Sequence, residues 1–197
     1  MNSVPFCPGA WAQQMVYAYT RRYESFPVFT QEADHICSGR DKANEYGFEN
    51  ISLFFPQPCA DGSEISASFR FEDAAAPLIV LANELEPDAG GHLRFGNYIE
   101  VVVWKNGLNV WQMHETNGRV TWQKLCGLEY PVDGSQMQTL SVRRAGDRLR
   151  ITHGAQKLNL LVQGLPASLF LGIDACEGVC RFYSASLCPP AAPAASV

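Results

Sequence analysis

Asn97-Tyr98-Ile99-Glu100-Val101-Val102-Val103-Trp104-Lys105-Asn106-Gly107-Leu108-Asn109-Val110-Trp111-Gln112-Met113-His114-Glu115-Thr116-Asn117-Gly118-Arg119-Val120-Thr121-Trp122-Gln123-Lys124-Leu125 is the stretch that decides the architecture. Three runs rich in β-branched and aromatic residues are separated by two Asn-Gly pairs, and Asn-Gly tolerates the positive φ that a two-residue type I′ hairpin turn needs. The spacing predicts three consecutive antiparallel strands. Turns centred on Asn106-Gly107 and Asn117-Gly118 pair Lys105 with Leu108, Trp104 with Asn109, Val102 with Trp111 and Glu100 with Met113. They also pair Thr116 with Arg119, His114 with Thr121 and Met113 with Trp122.

Directly paired residues share a sheet face, and side chains alternate along each strand. One predicted face therefore carries Tyr98, Glu100, Val102, Trp104, Asn109, Trp111, Met113, Trp122 and Lys124. The other carries Ile99, Val101, Val103, Leu108, Val110 and Leu125, an aliphatic core stripe, with Gln112, His114, Thr121 and Gln123 towards one end. The first face unites three of the four tryptophans with a tyrosine, a carboxylate, an amide and an amine. Flat aromatic rings cover the apolar faces of sugars, and carboxylates and amides bond hydroxyls, so the surface suits a carbohydrate. A second reading stands beside it: the tryptophans are inter-sheet core and Glu100 sits at its margin, since large aromatics are mostly buried.

Outward from this stretch, further short β-rich runs occur at 51–55, 65–71, 78–81, 140–143, 149–152, 158–162, 169–173 and 182–187, between Gly/Pro/Asn/Asp breaks. A parallel α/β fold needs intervening helices of ~10–15 residues, and there is no room for them. The expected fold is all-β, a sandwich or barrel. Only residues 9–24, with Trp11, Met15, Val16 and Tyr19 near helical spacing, read as a short helical segment. A chain of 197 residues suits one domain, here 1–188, with an N-terminal extension 1–50 packed on it and a Pro/Ala tail at 189–197.

Composition narrows the partners. Hydrophobic residues make up 47% and charged ones 18%, enough for a sizeable core, and the net charge of −5 argues against nucleic acid or an anionic membrane surface. The start Met1-Asn2-Ser3-Val4-Pro5-Phe6-Cys7-Pro8 has no basic segment followed by an apolar one, so a cytoplasmic location is expected. Seven cysteines leave at least one unpaired. Cys176-x-x-x-Cys180 with Cys188 lacks a neighbouring His and zinc-site spacing, so these thiols read as small buried apolar residues, and no metal or other cofactor is expected. Redox chemistry would need a C-x-x-C that is not there, and no Gly-x-Ser-x-Gly, phosphate loop or His-Glu-x-x-His accompanies His35, His114 or His153.

The hairpin Leu140-Ser141-Val142-Arg143-Arg144-Ala145-Gly146-Asp147-Arg148-Leu149-Arg150-Ile151 resembles the strand, x-Gly-Asp, strand passage of concanavalin A-like lectin/glucanase domains. So does Leu165-Pro166-Ala167-Ser168-Leu169-Phe170-Leu171-Gly172-Ile173, followed by Gly178 and the closing Arg181-Phe182-Tyr183. The resemblance spans residues 51–187 and implies a jelly-roll sandwich of two antiparallel sheets. In the laminarinase-type glycosidases of that superfamily one strand carries Glu-x-Asp-x-(x)-Glu. Residues 97–105 look like that strand and keep the first acid at Glu100, but Val102 stands where Asp would fall and Trp104-Lys105 where the second Glu would fall. Calcium is a common accessory in the superfamily. Glu84, Glu86 and Asp88 could supply oxygen ligands, but without any recognised spacing they read as a solvated acidic loop.

Three functions follow from these residues. The first is glycan binding, lectin-like, with Tyr98, Trp104, Trp111 and Trp122 as stacking platforms, Glu100 and Asn109 as hydroxyl partners, and His92 and Arg94 at the margin. The second is a glycoside hydrolase using Glu100 and a second carboxylate among Glu115, Glu129, Asp174 and Glu177, at the separations of ~5–5.5 Å or ~6.5–9.5 Å that retaining or inverting hydrolysis needs. The third is an interaction domain whose aromatic face packs on another subunit as a homodimer.

Overall fold

The computed structural model describes residues 2–20, 29–40, 51–72, 74–117 and 119–190; residues 21–24 of the expected helix, Gly118 and the tail beyond 190 lie outside them. Among the described residues eighteen strands follow one another. They begin with β1 (Asn2–Pro5), β2 (Val16–Tyr19), β3 (Thr30–Gln31), β4 (Ile36–Arg40), β5 (Ile51–Phe54) and β6 (Cys59–Ala60). The middle of the chain supplies β7 (Glu64–Phe71), β8 (Ala76–Ala82), β9 (Glu86–Pro87), β10 (Leu93–Arg94), β11 (Tyr98–Trp104) and β12 (Gly107–Thr116). The last are β13 (Arg119–Glu129), β14 (Gln138–Ala145), β15 (Arg148–His153), β16 (Gln156–Leu161), β17 (Ser168–Cys176) and β18 (Gly178–Cys188).

They form two sheets. The first has the order β16-β15-β14-β7-β18-β4-β3, with β1 also on β18; the second runs β13-β12-β11-β8-β17-β5-β2-β10-β9, with β6 on β17. Pairing is antiparallel throughout except between β10 and β2. Alternation along the strands decides what lies between the sheets. Ile65, Ala67 and Phe69 of β7, Leu140 and Val142 of β14 and Phe182 of β18 meet Ile79 and Leu81 of β8, Ile99, Val101 and Val103 of β11, and Leu171 and Ile173 of β17 in one buried cluster. The all-β expectation holds, and the aliphatic stripe of β11 and β12 is core.

The segment expected to be helical makes a single turn. The Trp11 carbonyl accepts from the Gln14 and Met15 amides, and the chain then extends. Val16, Tyr17 and Tyr19 are residues that favour strands, and pairing with β5 (Val16 opposite Phe54, Tyr19 opposite Ile51) gives them neighbours that a short isolated helix lacks. The residues expected to pack against a finished sandwich are instead woven into it: β1 and β4 pair with β18, and β2 pairs with β5.

Both hairpins form, with one correction. The second keeps its expected register, Thr116 opposite Arg119 and Met113 opposite Trp122, with Asn117 at φ 52°. In the first, Lys105 and Asn106 make the tip and Trp104 stands opposite Gly107, Val102 opposite Asn109 and Glu100 opposite Trp111. The positive φ falls on Gly107 (140°) rather than on Asn106. A Cβ at Gly107 would collide with the Leu128 carbonyl on the next strand, so close approach of β13 fixes the glycine there. Each partner moves by two residues, so every side chain keeps its predicted face. A bulge between Val110 and Trp111 brings Trp111 opposite Lys124 and leaves Leu125 among the core residues.

Candidate functional site

The face of the second sheet turned away from the first carries Trp104, Trp111 and Trp122. Registers across the sheet align Phe54, Gly172, Val80, Glu100, Trp111 and Lys124 in one row. Ser52, Asp174, Leu78, Val102, Asn109 and Gly127 form the adjoining row on one side. Ala82, Tyr98, Met113 and Trp122 form the row on the other side. Trp104 lies one row beyond Val102. From strand spacing and rise, the Trp111 and Trp122 backbones are about 8 Å apart and those of Trp104 and Trp111 about 14 Å.

Part of this face is roofed. The chain between β8 and β11 carries β9 and β10 and folds back so that Phe95, fully buried, packs its ring between Phe54 (5.0 Å between centroids) and Tyr98 (5.0 Å). Tyr98 in turn meets Trp122 edge to face at 5.7 Å. Gly172 makes room for this: a Cβ there would come within 2.7 Å of the Phe54 ring. Together with Leu78, Val80, Ala82 and Met113 these rings form a second apolar cluster, separate from the inter-sheet core. Polar bonds hold the roof down. Arg94 donates from its Nε to the Thr20 carbonyl (2.8 Å) and pairs with Glu115 (2.8 Å). The Tyr19 hydroxyl donates to Asp88 (2.7 Å), and the other Asp88 oxygen accepts from the Gly90 and His92 amides. The bond from Tyr19, followed by those backbone amides, holds the Asp88 carboxyl below its usual range.

The expected site residues therefore separate. Trp104, Trp111, Trp122 and Asn109 are half-buried, and Lys124 is exposed with its ammonium 5.7 Å from the Trp111 ring centre. Tyr98, expected as a platform, is 2% exposed because Phe95 covers it. Glu100, expected as a hydroxyl partner or acid, is 4% exposed. His92 and Arg94 belong to the roof, and Arg94 with Glu84, Glu86, Asn97 and Glu115 lines a small pocket of about 230 Å³ at its edge.

Of the carboxylates weighed as a second acid, Asp174, Glu115 and Glu129 share the Glu100 face; Glu129, exposed and opposite Gly107, has its Cα about 17 Å from that of Glu100. Asp174 is fully buried, accepting from the Ser52 hydroxyl (3.0 Å) and the Ala175 amide (2.7 Å), with its Cα about 12 Å from that of Glu100 across two strands. Glu115 is taken up by Arg94. Phe95, Phe54 and Ser52 were not among the expected site residues, because nothing local says that β5 and the segment after β10 come to this face. Cys7, Cys37, Cys59, Cys126 and Cys188 are free thiols; Cys180 lies in the inter-sheet core whereas Cys176 packs against the outer cluster. Among the described residues no group of three or more His, Cys, Asp or Glu side chains is arranged to hold a metal ion.

No protein-family model matches the sequence, and no curated protein sequence matches it. Solved structures do. A carbohydrate-binding module, CBM66 from Bacillus subtilis, superposes with a TM-score of 0.61 at 10% identity, over 88% of this chain and 96% of that one. The exoplasmic/lumenal domain of VIP36, in a Ca2+/Man-bound form, gives 0.59 at 15% identity over 98% and 92%. A beta-1,3-glucanase from Mycobacterium marinum gives 0.53 at 13% identity over 95% and 98%. At such identities the likeness shows the fold alone, a jelly-roll sandwich of two mostly antiparallel sheets.

Proposed function

We propose that the unroofed part of the outer face binds a saccharide. Trp111 and Trp122 are the stacking platforms, Trp104 extends the surface, and Asn109 is the polar partner. The observation that carries this reading is the placement of three half-buried indoles on one sheet face, beside the part that Phe95 covers. Buried aromatic neighbours flank that surface, Tyr98 packing edge to face on Trp122 and Phe95 on Tyr98. The fold neighbours, among them a carbohydrate-binding module and a glucanase, are consistent with a saccharide ligand.

Binding is favoured over hydrolysis by the state of the acids. Glycosidic cleavage needs two carboxyls on either side of the scissile bond, and here Glu100 and Asp174 are both enclosed, Asp174 with its oxygens committed to Ser52 and Ala175. Tryptophan fluorescence and calorimetry against a panel of neutral oligosaccharides test the proposal. A saturable signal that Trp111→Ala and Trp122→Ala each weaken about tenfold is expected, in line with the loss of an aromatic anchor. Silence across the panel, or affinity unchanged in both variants, overturns it. Reducing sugar released by the wild type and abolished by Glu100→Gln would replace it with the hydrolase reading.

A further inference from the structure

A second cleft, of about 820 Å³, lies against the outer face of the first sheet. One wall is the first sheet, with Arg70 of β7 and Arg181 and Tyr183 of β18; the other is Lys105 at the hairpin tip and the turn at 132–135. That second wall is fixed by backbone bonds, the Val132 amide donating to the Lys105 carbonyl (2.9 Å) and the Phe71 amide to the Gly134 carbonyl (2.9 Å). The volume falls within the range of small-molecule sites.

We propose that this cleft is an anion-binding site, taking a small ligand that bears a carboxylate or phosphate group. Its charge is opposite to that of the chain, which has 15 Lys and Arg against 20 Asp and Glu. In the cleft three cations face two carboxylates, and both carboxylates are already engaged. Glu72 pairs with Arg181 (2.9 Å), and Asp133 accepts from the amide and hydroxyl of Ser135 within its own turn. Arg70 and Lys105 have no carboxylate partner among the described residues.

The register sharpens the argument. Arg70 and Arg181 are directly opposite one another on adjacent strands, an arrangement that costs stability unless an anion lies between or beside them, and Glu72 compensates only one. The Arg70 guanidinium also lies over the Tyr183 ring at 5.7 Å. Stacking orients the planar fork and leaves its N–H edge for an oxyanion, which a guanidinium binds bidentately.

The experiment is a titration of the intact chain with glucuronate, with inorganic phosphate and with glucose as the neutral control, by calorimetry at low and at physiological salt. Glucuronate or phosphate is expected to bind in a salt-sensitive way while glucose does not. Arg70→Gln or Lys105→Gln should weaken that binding about tenfold, the loss of one charge-assisted contact, with an unchanged melting temperature showing that the variant is folded. Preference for glucuronate identifies a carboxylate-bearing sugar as the source of the anion; preference for phosphate identifies a phosphorylated ligand. Failure of both anions to bind at millimolar concentration in low salt, or binding unchanged in both variants, overturns the proposal.

Discussion

Arg94 on β10 and Glu115 on β12 meet at 2.8 Å although β11, β8, β17, β5 and β2 separate their strands in the sheet order. The contact exists because the β9–β10 edge folds back over the outer face. It ties that edge to the strand bearing Trp111, and so sets where the roofed part of the face ends. With the side chains 43% and 24% exposed, the pair itself adds little to global stability. Arg94→Gln is expected to cost at most about 1 kcal/mol. It should nonetheless speed hydrogen exchange at the Phe95 amide, which donates to the Tyr19 carbonyl at 2.8 Å. Exchange at Phe95 as slow as in the wild type would mean that the tie does not hold the roof.

Phe95 is the centre of that roof. Its ring contacts Phe54 and Tyr98 and is fully buried. Phe95→Ala should destabilise the chain by about 3–5 kcal/mol, the usual cost of emptying an aromatic core site, and should expose Tyr98. Urea unfolding measures the first, and a red shift of Trp122 emission the second. A loss below about 1 kcal/mol, smaller than any core aromatic truncation of this kind, would show that the outer cluster is loosely packed.

Lys124 lies over Trp111, so a sugar stacking on that ring competes with the ammonium. A cation–π contact at an exposed site is worth about 0.5–1 kcal/mol. If the contact outweighs any hydroxyl bond that Lys124 makes to the ligand, Lys124→Ala raises affinity for a neutral oligosaccharide about two- to fivefold. This is the expected result, because the cation has no carboxylate to retreat to among the described residues. Calorimetry of the variant checks it, and weakened binding would make Lys124 a direct hydroxyl partner.

Local signals account for what was legible in the sequence. Alternation and the two Asn-Gly turns were enough to assign each residue of β11–β13 to a face, even though the first turn closes one residue earlier, because a shift of two in the partner preserves the pleat. That puts three indoles on one face, but whether the face was outer or inter-sheet core stayed open in the sequence, and the structure makes it the outer one. The burial of Tyr98 and Glu100 does not follow from alternation, since it depends on Phe95, Phe54 and Gly172, contributed by segments whose return to this face is a long-range event. The N-terminal strands were hidden for the same reason. Val16 and Tyr19 carry both helical spacing and strand propensity, and only pairing with β5 resolves the choice.

His153 gives the fold a pH dependence. On β15 it faces the inter-sheet core, 3% exposed, with Nδ1 hydrogen-bonded to the Tyr130 hydroxyl at 2.9 Å and its ring stacked parallel to Phe69. Nε2 is buried with no partner among the described residues. Burial pushes the His153 pKa below its ordinary value. In the interval between the depressed folded value and the ordinary value near 6.5, the unfolded chain binds a proton that the folded chain does not. Stability is therefore fully present above about pH 6.5 and falls as the pH drops through that interval, levelling only below the folded value. His153→Gln, which keeps a side-chain group able to bond Tyr130 but does not titrate, should lower stability at neutral pH while flattening its acid dependence. Thermal melts of both proteins at pH 7 and pH 5 measure the difference; an equal decline in the two would mean that protonation of His153 is not what the folded core resists.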